Sequence, residues 1–136
     1  KLDIPEQGVS MIVLEGVHGE SLAFGPGRVP GSEGPGAPVV LAGHRDTHFR
    51  HLQHLEPGDA VRLQGMDRQW RRYQVTATRV VDSSRESLDT RSLAQDTLVL
   101  ITCYPFDSLD ASGTLRYVVE AKPAYGMEQI DTVAAL

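Results

Sequence analysis

Three side chains in this sequence have the chemistry needed to attack a carbonyl group through a thiol. Cys103 is the single cysteine of the chain, and its thiolate would be the nucleophile. His44 could exchange protons with it, because imidazole is the side chain whose ordinary pKa lies near neutrality. Arg116 would add a permanent positive charge that lowers the pKa of the thiol and stabilises an oxyanion. Taken singly, each residue has a plainer interpretation: an inert buried thiol, a structural histidine and a solvent-exposed arginine.

Two of these residues follow apolar runs that are typical of β-strands. Cys103 comes directly after Leu98–Thr102, and Pro105 beyond it cannot donate a ladder hydrogen bond. We therefore expect the sheet pairing to end close to the thiol. His44 follows Val39–Ala42, so it too should lie at a strand end. At two strand ends, this pair has the character of a nucleophile and its acid-base partner.

Further strand signals lie along the chain between Gly and Pro residues. Met11–Leu14 is a short apolar run, and residues 73–78 alternate apolar and polar side chains before continuing into Val80 and Val81. Leu115–Val119, which contains Arg116, is another run of this type. Short strands without long helices between them predict an all-β barrel or sandwich.

Helix signals are few. Asp46 or Thr47 could cap a short helix that runs through Leu55, and Ser87–Gln95 could hold another turn or two. Asp46 could instead hydrogen-bond to His44. A helix here would stack four histidines on one face, and such a stripe could bind a metal ion through imidazole nitrogens. The four are His44, His48, His51 and His54. No carboxylate or thiolate at ligand spacing supports that site, so an exposed polar face is the favoured interpretation.

Length and composition exclude several classes of protein. The chain has 136 residues, which suits a single domain spanning 1–136. One cysteine excludes an internal disulfide and a multi-cysteine zinc site, and the lack of asparagine excludes a Cys-His-Asn triad. The net charge is −5 and no basic run is longer than Arg71-Arg72, so we expect no nucleic-acid partner. No apolar stretch approaches the roughly 18 residues that span a bilayer.

Three ordered motifs of the chain resemble those of one enzyme family. Ala42–Leu52, followed by a Gly-Asp pair, resembles the histidine region of sortases. Leu98–Phe106 resembles their cysteine strand, and Leu115–Val119 their arginine strand. With the sortase-like stretch at 13–27, the similarity covers most of residues 4–122. The residues of these motifs are most similar to those of class D-like sortases, which include the single sortases of Gram-negative bacteria.

The resemblance implies a fold, an activity and a location. The expected fold is all-β, a closed barrel of about eight strands with one or two short helices. The expected activity is that of a cysteine transpeptidase, which needs no metal or other cofactor. Its catalytic residues would be His44, Cys103 and Arg116, with Asp46 and Thr102 in support; Thr102 could position the substrate carbonyl. The enzyme would act in the cell envelope outside the cytoplasm, held to the membrane by an anchor preceding Lys1.

The resemblance also implies two partners: a secreted protein with a C-terminal sorting motif of the Leu-Pro-x-Thr-Gly kind, and an amine acceptor. The sequence leaves three alternatives open. A cysteine hydrolase would use the same three residues but release the acyl group to water. A non-catalytic β-barrel binding module would keep Cys103 in its core. A metal protein would use the histidine stripe. The exact motif, the acceptor and the oligomeric state are equally open.

Overall fold

The structure, a computed structural model, describes residues 1–15, 26–28, 38–44, 49–65, 67–85, 96–104, 106 and 113–124. In these ranges the chain forms β-strands and two short 3-10 helices, Pro5–Gln7 and Arg50–His54. The strands are β1 (Leu2–Ile4), β2 (Val9–Met11), β3 (Leu14–Glu15), β4 (Gly27–Arg28), β5 (Val39–Ala42), β6 (Ala60–Gln64), β7 (Trp70–Asp82), β8 (Leu98–Cys103) and β9 (Leu115–Pro123). The all-β prediction is confirmed.

All of these strands belong to one sheet, whose two edges the chain itself brings together. The strand order is β2-β1-β6-β7-β9-β8-β5-β4-β3. The edge strand β2 ends at Met11 and the opposite edge strand β3 begins at Leu14. Three peptide steps reach at most about 11 Å, so the sheet must curl until its edges nearly meet. The predicted closed barrel was overstated, because within the described residues this gap is crossed by Ile12 and Val13 without ladder pairing between β2 and β3.

The sheet is buried on both faces where β5, β8 and β9 lie side by side. One face contributes to the larger apolar cluster, which includes Leu41, Leu98 and Leu100. The other face carries a smaller cluster of Val40, Val99 and Val118, with Ile101 and Val81 packed against it. A strand that is buried on both faces needs apolar residues at every position, which accounts for the unbroken apolar run of β8.

The predicted strands at β5, β7, β8 and β9 are found, three of them with longer ends, and the structure adds three strands. The predicted run Met11–Leu14 is not one strand, because β2 ends at Met11 and β3 begins at Leu14. β5 has the predicted bounds, β7 and β9 are longer than predicted, and β8 includes Cys103 itself. The additions are β1, β4 and β6, which the sequence patterns did not indicate. β1 pairs with both β2 and β6, and each of these pairings is antiparallel.

The predicted helix is shorter than expected. It is a 3-10 helix that begins at Arg50, with Phe49 at its N-cap and no side-chain cap hydrogen bond. The predicted caps Asp46 and Thr47, and the predicted turns at Ser87–Gln95, lie outside the described residues. No helix in the described ranges is long and apolar enough to cross a membrane.

Candidate active site

Three adjacent strands bring the candidate residues to one end of the sheet. β5 pairs with β8 in parallel, so the carboxyl ends of both strands point the same way. β9 pairs with β8 in the antiparallel sense and therefore begins at that end. His44 follows β5, Cys103 ends β8, and Arg116 is the second residue of β9. The sheet topology thus collects three residues that are far apart in the sequence.

Cys103 and Arg116 lie on the same face of the sheet because they are register partners in the β8–β9 ladder. Side chains directly opposite in an antiparallel pair have Cβ atoms about 4.5–5.5 Å apart. Cys103 carries a free thiol and is half-buried. Arg116 is half-buried as well, which contradicts the solvent-exposed interpretation of this arginine.

His44 is directed to the face that carries the thiol. The β5–β8 ladder continues beyond Ala42, since the Gly43 N–H donates to the Ile101 carbonyl at 3.2 Å. A Cβ placed on Gly43 would point at the ring of Phe49 in the larger apolar cluster. Because successive residues of an extended chain face opposite sides, His44 points away from that cluster and towards the face of Cys103. Its side chain is exposed.

The guanidinium of Arg116 is held by main-chain carbonyls. Its Nη1 donates to the carbonyl oxygen of Gly113 at 2.7 Å and to that of Leu115 at 2.9 Å. Gly113 lies in the segment that leads into β9, and Leu115 is the first residue of that strand. A guanidinium carries five N–H donors, so anchoring one nitrogen is compatible with donation from the others to a bound substrate.

Thr102 lies on the opposite face from Cys103 and is 2% exposed. Its hydroxyl donates to the Gly43 carbonyl at 2.8 Å, across from β8 to the residue before His44. The hydroxyl therefore links β8 to the end of β5, and it does not lie on the face that carries the thiol. Asp46, the other predicted supporting residue, lies outside the described residues.

An aromatic cluster that the sequence analysis missed lies behind the candidate site. The rings of Tyr104 and Tyr117 stack with centroids 6.0 Å apart, and Phe106 meets Tyr117 edge-on at 5.1 Å. The Tyr104 N–H donates to the Leu115 carbonyl at 3.1 Å, so strand pairing continues one residue past Cys103. Because side chains alternate along a strand, these rings lie on the face opposite the thiol. Their packing there stabilises the end of β8. In the sequence, the two-residue spacing of Tyr104 and Phe106 could have indicated two rings on one face. The register between β8 and β9 is needed to show that Tyr117 joins them.

The histidine stripe does not form a single helical face. His44 lies at a strand end, whereas His51 and His54 lie in the 3-10 helix, and His48 is outside the described residues. Within the ranges that the structure describes, no three His, Cys, Asp or Glu residues are grouped so that they could hold a metal ion.

Comparison with known proteins identifies relatives that share this fold. A sortase-domain family model matches residues 2–124. Sortase D of Bacillus subtilis (strain 168) is 34% identical over 123 residues, which are 89% of this chain and 61% of that protein. The chain therefore spans under two-thirds of the length of this curated relative. The match agrees with the resemblance of the sequence motifs to class D-like sortases.

Solved structures show the same architecture. Sortase C-1 from Actinomyces oris has a TM-score of 0.74 at 27% identity, over 90% of this chain and 72% of that chain. Sortase C from Clostridium perfringens, solved with the C-terminal cell wall sorting motif, has a TM-score of 0.75 at 22% identity, over 90% of this chain and 68% of that chain. At this level of identity the second likeness shows the fold alone.

Proposed function

Because the chain belongs to the sortase family, we propose that it is a cysteine transpeptidase that cleaves a C-terminal sorting motif and transfers the acyl group to an amine. The observation that carries this proposal is the arrangement of the site. β5, β8 and β9 are neighbouring strands. His44 follows β5, Cys103 ends β8 and Arg116 is the second residue of β9, so the three residues lie at the same end of these strands and are directed to one face. A nucleophile, a proton carrier and a cation around one bond are what acyl transfer requires.

In the first half-reaction, the thiolate sulfur of Cys103 attacks the carbonyl carbon of the scissile peptide bond. A carbon–sulfur bond forms, and the carbonyl electron pair moves onto oxygen, where Arg116 stabilises the negative charge. When the carbonyl re-forms, the carbon–nitrogen bond breaks and His44 gives its proton to the departing amine. The products of this half-reaction are a thioester on Cys103 and the released C-terminal fragment.

The second half-reaction reverses these roles. The amine of the acceptor attacks the thioester carbonyl and His44 takes up its proton. The new carbon–nitrogen bond forms and the carbon–sulfur bond breaks, which returns the thiolate. The covalent intermediate divides one difficult amide exchange into two easier steps.

The proposal extends to substrate, domain and location. The substrate class is a secreted protein with a C-terminal sorting motif, as the match to the sortase family and the motifs around His44, Cys103 and Arg116 imply. The acceptor is an amine. Residues 1–136 would form one catalytic domain that works in the cell envelope outside the cytoplasm, in a full-length protein held to the membrane by an N-terminal anchor.

Covalent trapping tests the nucleophile. The protein is incubated with a panel of candidate sorting peptides, and mass spectrometry is used to find an acyl adduct on Cys103. The Cys103→Ala variant is the control, since it removes only the sulfur from a half-buried position and should fold normally. An adduct on the wild type that is absent from the variant is expected, whereas peptide cleavage by Cys103→Ala would overturn the proposal.

Product analysis separates transfer from hydrolysis. With an added amine, a transpeptidase yields the amide of that amine, and the released acid falls in proportion. If the acid is the only product at every amine concentration, the enzyme is a hydrolase with the same site.

A further inference from the structure

The backbone on both sides of His44 is tied down by hydrogen bonds. On one side, the Gly43 carbonyl accepts the Thr102 hydroxyl at 2.8 Å. On the other side, the His44 carbonyl accepts the Phe49 N–H at 3.0 Å. These two carbonyls belong to the two peptide planes that meet at the Cα of His44. Restraining both planes restrains the direction in which the exposed imidazole leaves the chain.

Gly43 is also held by packing. A Cβ added to this residue would lie 2.9 Å from Cγ and Cδ2 of the Phe49 ring, closer than real Cβ atoms approach. Phe49 is fully buried, so its ring has little room to retreat. The φ angle of Gly43 is not left-handed, because the described glycines with positive φ are Gly8 and Gly58. Close approach of an aromatic ring, and not backbone conformation, is therefore the reason for a glycine at position 43.

These contacts form one unit, which we name the Gly43 clamp: the Thr102 hydroxyl on the carbonyl of Gly43 and the Phe49 ring on its Cα. We propose that Thr102 and Phe49 are positioning residues, which act through Gly43 to hold His44 at the distance where it exchanges protons with Cys103. The proposal rests on the proposed function, because it gives His44 the proton-transfer role. Proton transfer between heavy atoms needs a separation of about 2.6–3.2 Å, so a small displacement of the strand end has a large kinetic effect.

The hydroxyl half of the clamp is tested with Thr102→Val and Thr102→Ser. Valine keeps the shape of threonine and removes the hydrogen bond, whereas serine keeps the bond. We expect Thr102→Val to lower kcat about 10- to 100-fold with a smaller change in KM, and Thr102→Ser to stay within about threefold of the wild type. Thr76→Val is the matched control, since the Thr76 hydroxyl also donates to a carbonyl across a strand pair, that of Glu120 at 3.2 Å, far from the site.

The packing half is tested with Gly43→Ala, Phe49→Leu and the double variant. The new methyl group should collide with the ring and lower kcat at least about tenfold. Replacing the ring with leucine in the Gly43→Ala background should make room and recover at least about threefold of that loss. A double variant no more active than Gly43→Ala, both being folded by circular dichroism, would overturn the packing half.

A substrate-free measurement separates this inference from the proposed function. The rate of Cys103 alkylation by iodoacetamide is recorded against pH in the wild type, Thr102→Val, Thr102→Ser and Thr76→Val. If the clamp positions His44, the dependence of the alkylation rate on pH in Thr102→Val should differ from that of the wild type. The same curve in Thr102→Ser should match the wild type. A Thr102→Val profile that superimposes on the wild type overturns the inference. A wild type that is alkylated normally but transfers no peptide overturns the proposed function instead.

Discussion

The β7–β9 ladder presents two arginines on one face of the sheet and holds them in different ways. Arg79, on β7, places its Nη2 3.2 Å from a carboxylate oxygen of Glu120. Arg116, at the end of the ladder where the candidate site lies, bonds to the carbonyl oxygens of Gly113 and Leu115 at 2.7 and 2.9 Å. Among the described residues, the first arginine has a charged partner and the second has neutral ones.

This difference shows how a sheet can position a cation without neutralising it. A carboxylate beside Arg79 cancels most of its charge at a distance, so that pair contributes little beyond the local contact. Two neutral carbonyls restrain the Arg116 guanidinium equally well in direction but leave its full charge in place. A cation that is to stabilise a developing oxyanion needs both properties, a fixed position and an uncompensated charge. The comparison therefore predicts that Arg116 matters to the reaction and that Arg79 does not.

The largest expected effect comes from removing the guanidinium at each position. Arg116→Lys should lower kcat/KM for peptide transfer about 100-fold, since an ammonium keeps the charge but lacks the planar fork that bonds carbonyls and oxyanion together. Arg79→Lys should remain within about twofold of the wild type. Steady-state kinetics on both variants measures the contrast. Near wild-type turnover in Arg116→Lys would reduce Arg116 to a structural residue.

A smaller effect is expected from giving Arg116 the kind of partner that Arg79 already has. Val81 is the register partner of Arg116 in the β7–β9 ladder and lies on the same face. Val81→Glu should place a carboxylate beside the guanidinium and lower kcat/KM about tenfold, or about 1.4 kcal/mol of transition-state stabilisation. Val81→Gln is the matched control, because it removes the same apolar contact without adding charge. Equal kinetics in the two variants would show that the charge of Arg116 is not used.

Local sequence patterns were sufficient for the elements that carry the candidate residues. Val39–Ala42 and Leu98–Thr102 are unbroken apolar runs because β5 and β8 are buried on both faces, and burial of that kind leaves a clear signal. The motifs around His44, Cys103 and Arg116 indicated the family as well. The short strands β1 and β4 left no comparable signal, since pairing with distant partners stabilises them more than their own composition does.

The contacts around the candidate residues could not be predicted, because they depend on register between distant strands. The role of Thr102 in positioning a substrate carbonyl stays a prediction, but the hydrogen bond from its hydroxyl to Gly43, a residue 59 positions away, left no signal in the sequence. Nothing in the sequence indicates that Phe49 packs on that same glycine. The closed barrel was overstated for a related reason: a strand count does not show whether the last two edges pair. Register and closure are properties of the whole sheet.

The smallest expected effect concerns the turn that follows β7, near the segment that holds Arg116. The Ser84 hydroxyl and backbone N–H donate to the Asp82 carboxylate at 2.6 and 3.0 Å and, with Thr114, keep the pKa of Asp82 below its usual value. A lowered pKa in the folded state means that this carboxylate stabilises the fold above its ordinary pKa of about 3.9 and ceases to do so as the pH falls through the lowered value. Asp82→Asn should therefore flatten the acid limb of stability against pH, measured by urea unfolding from neutral pH downwards. An acid limb in Asp82→Asn as steep as in the wild type would mean that the Asp82 carboxylate is no better bound in the folded chain than in the unfolded one.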